Sequence, residues 1–171
     1  GGEGGAIYFS NSNNGECVLH RVCGYDCLTT YTSSPYEQFA DISVKNSALS
    51  KNYVNYTSIT RCVNENSNSY SALYLRYGKD NCLSVNLSMN KCGYQTGFSS
   101  HPFSDSSSVT CSLLYSTFTD NIVTNYVCNR FNNGNAKYEM KCCNFLRNSQ
   151  ISSSCGLIEA YGTTTIEDSC I

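Results

Sequence analysis

The sequence predicts an all-β fold, a right-handed parallel β-helix of roughly 25–30 residues per rung. Three observations point there. Short extended segments recur at a near-constant period, clusters of turn formers separate them, and no stretch carries capped helical periodicity. Charged residues make up only 14% of the chain, against roughly 25% in typical soluble proteins, and Ser, Asn, Thr and 14 Tyr take their place. These are strand and turn formers rather than helix formers. A length of 171 residues suits one domain with a moderate core, so residues 1–171 read as a single solenoid.

Taken in order, the chain opens with GGAIYFSN from Gly4, and a blurred version returns as GNAKYEMK from Gly134. The two read as equivalent strands on different rungs, with Gly134 and Ala136 small because a neighbouring element packs closely. LHRVC ends at Cys23, YTSITRC at Cys62, NLSMNKC at Cys92, LLYSTF at Phe118, KCCNF at Phe145 and IEDSC at Cys170. From Cys62 onward the separations of these ends are 30, 26, 27 and 25 residues. Ile59 and Met89 stand three before their cysteines, with small polar residues between, and turn clusters fill 64–68, 104–108 and 132–135.

One rung cannot bury its own apolar face, whereas stacked rungs put equivalent side chains in register and close a continuous core. Cys62, Cys92, Phe118, Phe145 and Cys170 are therefore expected to form one core-facing stack, which Cys23 extends if residues 24–61 hold an insertion or an extra turn. Gln95, Asn121 and Asn148 lie three residues past an anchor, and amides repeated at one position hydrogen-bond along the stack as a ladder. Successive rungs pair in parallel about 4.8 Å apart, with right-handed crossovers.

Twelve cysteines, an even number, predict an oxidising, extracellular setting with disulfides, although the inward ones also suit buried free thiols. The sequons at Asn55 and Asn86 are glycosylation candidates that fit the same setting. A net charge of -2 and a pI near 5.6 give no footprint for nucleic acid or an anionic membrane. No segment is apolar enough to insert into a bilayer, and GGEGG lacks the regions of a signal peptide, so the chain reads as a fragment of a longer surface protein.

Cys17, His20, Cys23 and Cys27 superficially resemble a zinc site, but alternation on one strand sends Cys17 and Cys23 to one side and His20 to the other. Of the adjacent Cys142 and Cys143, one is expected to face inward and the other outward. Polysaccharide lyases and hydrolases need clustered carboxylates, and the acidic residues here, including Asp105, Asp120 and the pair Glu167-Asp168, are scattered. His101, in SSHPFSD, lies near Asp105 without a nucleophile elbow, and its segment reads as a turn. No catalytic, cofactor-binding or metal-ligating residue is assigned, and no cofactor is expected.

Phe118-Thr-Asp-Asn121 and Phe145-Leu-Arg-Asn148, with Gly4-Gly-Ala-Ile7 and the degenerate Gly134-Asn-Ala-Lys137, resemble the FxxN and GGAI motif pair of polymorphic outer membrane protein repeats. Nearly the whole chain resembles the trichomonad surface proteins that carry this β-helix repeat. Cys62, Cys92 and Cys170 depart from it by taking the Phe slot. The resemblance implies a cell-surface β-helix with a role in adhesion and offers no ligand residues to carry over. The expected function is non-enzymatic binding of a host-cell or matrix glycan or protein, favoured by abundant Tyr. A structural stalk or shielding spacer is the alternative, and a polysaccharide-degrading enzyme stands third.

Overall fold

The computed structural model describes residues 5–27, 39–64, 71–93, 97–124, 127–151 and 156–171. The first rung holds β1 (Ile7–Ser10), β2 (Glu16–His20) and β3 (Cys23–Tyr25). The second holds β4 (Ala40–Ser43), β5 (Lys51–Asn55), β6 (Ser58–Thr60) and β7 (Val63–Asn64). The third holds β8 (Leu73–Arg76), β9 (Lys79–Leu83), β10 (Asn86–Ser88) and β11 (Lys91–Cys92), and the fourth β12 (Phe98–His101), β13 (Cys111–Leu114), β14 (Thr117–Thr119) and β15 (Ile122–Val123). The fifth holds β16 (Asn129–Phe131), β17 (Lys137–Lys141), β18 (Asn144–Leu146) and β19 (Ser149–Gln150), and β20 (Ile158–Ala160) and β21 (Thr163–Glu167) follow.

Equivalent strands stack in parallel into four sheets: β1-β4-β8-β12-β16-β20 (sheet 1), β2-β5-β9-β13-β17-β21 (sheet 2), β3-β6-β10-β14-β18 (sheet 3) and β7-β11-β15-β19 (sheet 4). The fold is all-β, a parallel β-solenoid, with no helix among the described residues. Its sharp corners come from single residues in the left-handed region. Arg21, Tyr56, Ser84, Tyr115, Cys142 and Asp168 occupy it after the sheet 2 strands, and Asp26, Arg61, Met89, Asp120 and Arg147 after the sheet 3 strands. One such residue reverses the side-chain alternation and turns the chain without a long loop. Eight of these eleven are neither Asp nor Gly, so the stacked strands on either side must enforce the conformation.

The three-residue strands of sheet 3 send only their central side chain inward. Their register places Ile59, Leu87, Phe118 and Phe145 in one row, with rungs of 28, 31 and 27 residues. The Phe118 and Phe145 rings stack with centroids 4.7 Å apart and planes within 7°. Gly24 takes this place in the first rung, where the Phe39 ring fills the space: a Cβ on Gly24 would sit 2.4 Å from Phe39 Cδ2.

This register corrects the expected stack. Cys62 and Cys92 are buried, but Cys62 lies three residues beyond the central position of its strand, and Cys92 pairs with Asn64 and Val123 in sheet 4. Cys170 is exposed and bridges Asn144, and Cys23 faces outward beside Ser58. Aligning segments on their final cysteine misplaces them because the inward residue before a left-handed corner, not the last sulfur, sets the repeat. The opening pair of segments is also not equivalent: Ile7 begins a sheet 1 strand, whereas Lys137 begins a sheet 2 strand. Gly4 lies outside the described residues, and a Cβ on Gly134 would meet only the Tyr161 carbonyl oxygen, at 3.8 Å, so no close packing demands a glycine there.

An amide ladder follows the same correction. Gln95 lies outside the described residues, and the amide three beyond Leu87 is Asn90. Asn90 Nδ2 donates to Asn121 Oδ1 and Asn121 Nδ2 to Asn148 Oδ1, each at 2.9 Å. The same oxygens accept the backbone N–H of Asn90 and Asn121, while the amide nitrogens also donate to the carbonyls of Ile59, Leu87 and Phe118. Each buried amide is thus satisfied by its own column, which removes the penalty of burying it. Eleven described cysteines are thiols rather than members of a disulfide framework, and seven of these are buried as small apolar groups.

Candidate functional site

Of the nine tyrosines within the described residues, only Tyr138 is buried; Tyr8, Tyr25, Tyr56, Tyr115 and Tyr161 are exposed and Tyr53, Tyr74 and Tyr77 half-buried. They are spread around the solenoid: Tyr53 on sheet 2 and Tyr25 on sheet 3 lie against Lys51 and Arg61, and Tyr74 and Tyr161 on the sheet 1 side lie against Arg76 and Arg130. Sheet 1 sends Ala40, Ile42, Leu73, Leu75, Phe98, Ser100 and Phe131 inward, so alternation puts Tyr8, Asp41, Tyr74, Ser99, Arg130 and Glu159 on its outer side. Arg76 and His101, paired in register, lie one step along.

Two arginine clusters organise this face. Arg76 donates from an NH2 nitrogen to Asp41 Oδ2 at 2.9 Å, and its Cζ lies 4.6 Å from the Tyr74 ring centroid. Arg130 Nε meets Glu159 Oε2 at 2.8 Å, and its guanidinium lies 5.4 Å from the Tyr161 ring centroid. Tyr161 Oη completes the second cluster by donating to Glu159 Oε1 at 3.1 Å. His101 stands between the clusters, edge-on to Tyr77 with centroids 5.7 Å apart. Burial first, then the charges of Arg76 and Arg130, hold the His101 imidazole below its ordinary range, which keeps it neutral near pH 7.

Chemically, the face offers flat aromatic area beside guanidinium groups that carboxylates already hold in place. Such sets recognise planar or ring-shaped ligands by stacking and by charge-assisted hydrogen bonds. The carboxylates Asp41 and Glu159 are engaged with these arginines.

The other carboxylates weighed for catalysis lie apart. Asp105, in the loop between sheets 1 and 2, accepts from the backbone N–H and hydroxyl of both Ser107 and Ser108, which hold its carboxyl far below the usual range. Asp120 forms a two-pronged pair with Arg147 at 2.7 and 2.8 Å, which lowers its carboxyl, and Glu167 lies 3.2 Å from Lys141 on sheet 2. Asp80 is sealed in the core, where it accepts from Asn52 Nδ2 at 2.8 Å and from the Ser100 hydroxyl at 2.6 Å. Desolvation raises its carboxyl to about 7 against those two hydrogen bonds.

The cysteine and histidine cluster separates as well. Cys17 points into the core, while His20 is exposed edge-on to Tyr56 at 5.6 Å, and Cys23 lies beyond the Arg21 corner on the outside of sheet 3. No group of three or more His, Cys, Asp or Glu side chains among the described residues is placed to hold a metal ion. Cys143 is buried, and Cys142 occupies the adjoining left-handed corner, half-buried. Of the sequon residues, Asn86 opens β10 exposed and Asn55 ends β5 half-buried. No helix among the described residues is long and apolar enough to cross a membrane.

Sequence reading missed the arginine and tyrosine clusters. Their only sequence signal is Tyr74-Leu-Arg76, where alternation puts the ring and the cation on one side; Asp41, Arg130, Glu159 and Tyr161 join them through cross-rung register alone.

Fold and face together define a parallel β-solenoid with an aromatic, arginine-bearing outer sheet. No family model matches the chain, and neither a curated protein nor a solved structure matches it.

Proposed function

We propose that this chain is a non-enzymatic, extracellular or cell-surface β-solenoid that binds a host-cell or matrix ligand, a glycan or a glycan-bearing protein, through the outer face of sheet 1. The observation that carries this reading is the retention of eight of nine described tyrosines at the surface, three of them held against arginines and two of those, Tyr74 and Tyr161, on the sheet 1 side. A buried ring contributes to a core, whereas a ring kept at the surface beside a fixed cation contributes contact area with little entropy loss on binding. The resemblance to polymorphic outer membrane protein repeats supports the same role, and the exposed Asn86 is the better placed of the two glycosylation candidates.

The second reading is a stalk or spacer, favoured by the amide ladder across the third to fifth rungs and the stacked pair Phe118 and Phe145, which stiffen the rod. Retention of the protein on immobilised acidic and neutral glycans, scored together with glycan chain length, separates the readings. Retention without cleavage, weakened about tenfold by Tyr74→Ala or Tyr161→Ala, is the expected outcome, equivalent to loss of roughly 1–2 kcal/mol of ring contact. Absence of retention across the panel leaves the spacer, and shortened glycans make the protein an enzyme.

A further inference from the structure

The column that holds Asn148, Asn121 and Asn90 continues toward the first rung with Cys62 and then Cys27. β3 and β6 pair Gly24 with Ile59 and Tyr25 with Thr60, and the same register carried two residues further sets Cys27 beside Cys62. It holds through the corner: the Asp26 N–H donates to the Thr60 carbonyl at 3.1 Å, and the Asp26 carboxylate meets Arg61 at 3.0 Å. The two thiols are also oriented alike. Cys27 Sγ donates to the Tyr25 carbonyl at 3.6 Å and Cys62 Sγ to the Thr60 carbonyl at 3.8 Å. Neighbouring parallel strands about 4.8 Å apart fall within the Cα separation that a disulfide spans.

We propose that Cys27 and Cys62 are a redox site, a thiol pair that a low-molecular-weight disulfide such as oxidised glutathione converts into a disulfide locking the first rung to the second. Cys27 is partly exposed and Cys62 fully buried, and burial pushes the Cys62 thiol up to about 12, so the first attack belongs to Cys27. Its thiolate takes one sulfur of the glutathione disulfide, forming a mixed disulfide and releasing one glutathione thiolate. Cys62 sulfur then attacks Cys27 sulfur; the bond to glutathione breaks, and the Cys62 proton leaves with the second glutathione. Two protein thiols are oxidised, and one disulfide is reduced to two thiols.

The position explains the need for a covalent link. From the third rung to the fifth, paired amides tie this column together, and Asn90 Oδ1 caps the backbone N–H of Cys62 at 2.9 Å. Between the first two rungs the column has only thiols, which are weak donors. The described strands of sheet 4 begin in the second rung, and the described strands of the first rung belong to the other three sheets. Cys23, the nearest other cysteine in sequence, faces outward with Ser58 as its partner and has no sulfur in register.

The test is to treat the full chain with oxidised glutathione, denature, alkylate the remaining thiols and map the tryptic peptides without reduction. Cys23 and Cys27 share a peptide between Arg21 and Lys45, so the map is repeated on Cys23→Ser. The expected result is a cross-link between that peptide and the one beginning at Cys62, kept in Cys23→Ser and lost in Cys27→Ser. The midpoint of thermal unfolding of the oxidised protein should rise by roughly 5–10 °C and fall back with dithiothreitol. Alkylated Cys62 after oxidation, or a cross-link that disappears in Cys23→Ser, overturns the proposal, and both readings hold even if Cys27→Ser fails to fold.

Discussion

Two buried polar rows inside this solenoid solve the same problem differently. In the column behind sheet 3, Asn90, Asn121 and Asn148 are neutral, and each amide finds its donors and acceptors on neighbouring rungs of the same column. In the inward row of sheet 2, Asn52 meets Asp80 on the next rung, but Asp80 also needs Ser100, which reaches it from sheet 1 across the core. The ladder propagates by repetition, whereas the carboxyl row depends on a partner from another sheet and on a proton. Stacked repeats can therefore bury polar groups cheaply where the polarity is periodic, and only conditionally where it is ionisable.

The comparison is broken most severely through the apolar stack beside the ladder. Phe118→Ala and Phe145→Ala are each expected to lower stability by roughly 3–5 kcal/mol in denaturant unfolding, since each removes a ring stacked in a closed core. A loss below about 1 kcal/mol for Phe118→Ala would show that the rungs do not stack in this register.

The carboxyl row gives a pH signature. The Asp80 carboxyl titrates near 7 in the folded protein and near 3.8 in the unfolded chain, so between these values the native state binds more protons. Its contribution is therefore fully present below about pH 4 and lost as pH rises through about 7, by up to about 4 kcal/mol. Asp80→Asn should flatten this decline, and identical stability curves for the two proteins from pH 4 to 8 would refute the burial of an ionisable group there. Asp105 and Asp120, whose carboxyls are lowered, contribute in the opposite sense, losing their effect as pH falls through their depressed values.

The ladder itself is sharpened by Asn121→Ala. This variant leaves the Asn148 oxygen and the Leu87 carbonyl each short of a donor and the Asn90 amide short of an acceptor, at an expected cost of about 2–3 kcal/mol without any change in pH dependence. Hydrogen exchange should quicken at Asn90, whose N–H donates to the Asn121 side chain, and unchanged exchange there would detach the backbone from the ladder.

Much of the fold was legible because a solenoid writes its period into the chain. Phe118 with Asn121 and Phe145 with Asn148 announced both a core row and a ladder row. The same signal misled where substitution blurred it: Leu87 and Asn90 form an intact rung, yet the nearby Cys92 drew the alignment five residues too far. Gly24 illustrates a deeper limit, since an empty place in the stack has no sequence signature and is filled by Phe39 from another sheet. The arginine- and tyrosine-bearing face was the least legible, because its ion pairs join residues 29 to 35 positions apart.

The sequence by itself determined the class of this protein: short alternating strands, turn clusters and a recurring spacing leave stacking as the only way for each rung to bury its apolar side. The tertiary structure decided which residues share a row, which polar groups are satisfied and which cations meet which rings. Those outcomes depend on register between rungs, and a shift of a single residue would send every side chain of a strand to its opposite face.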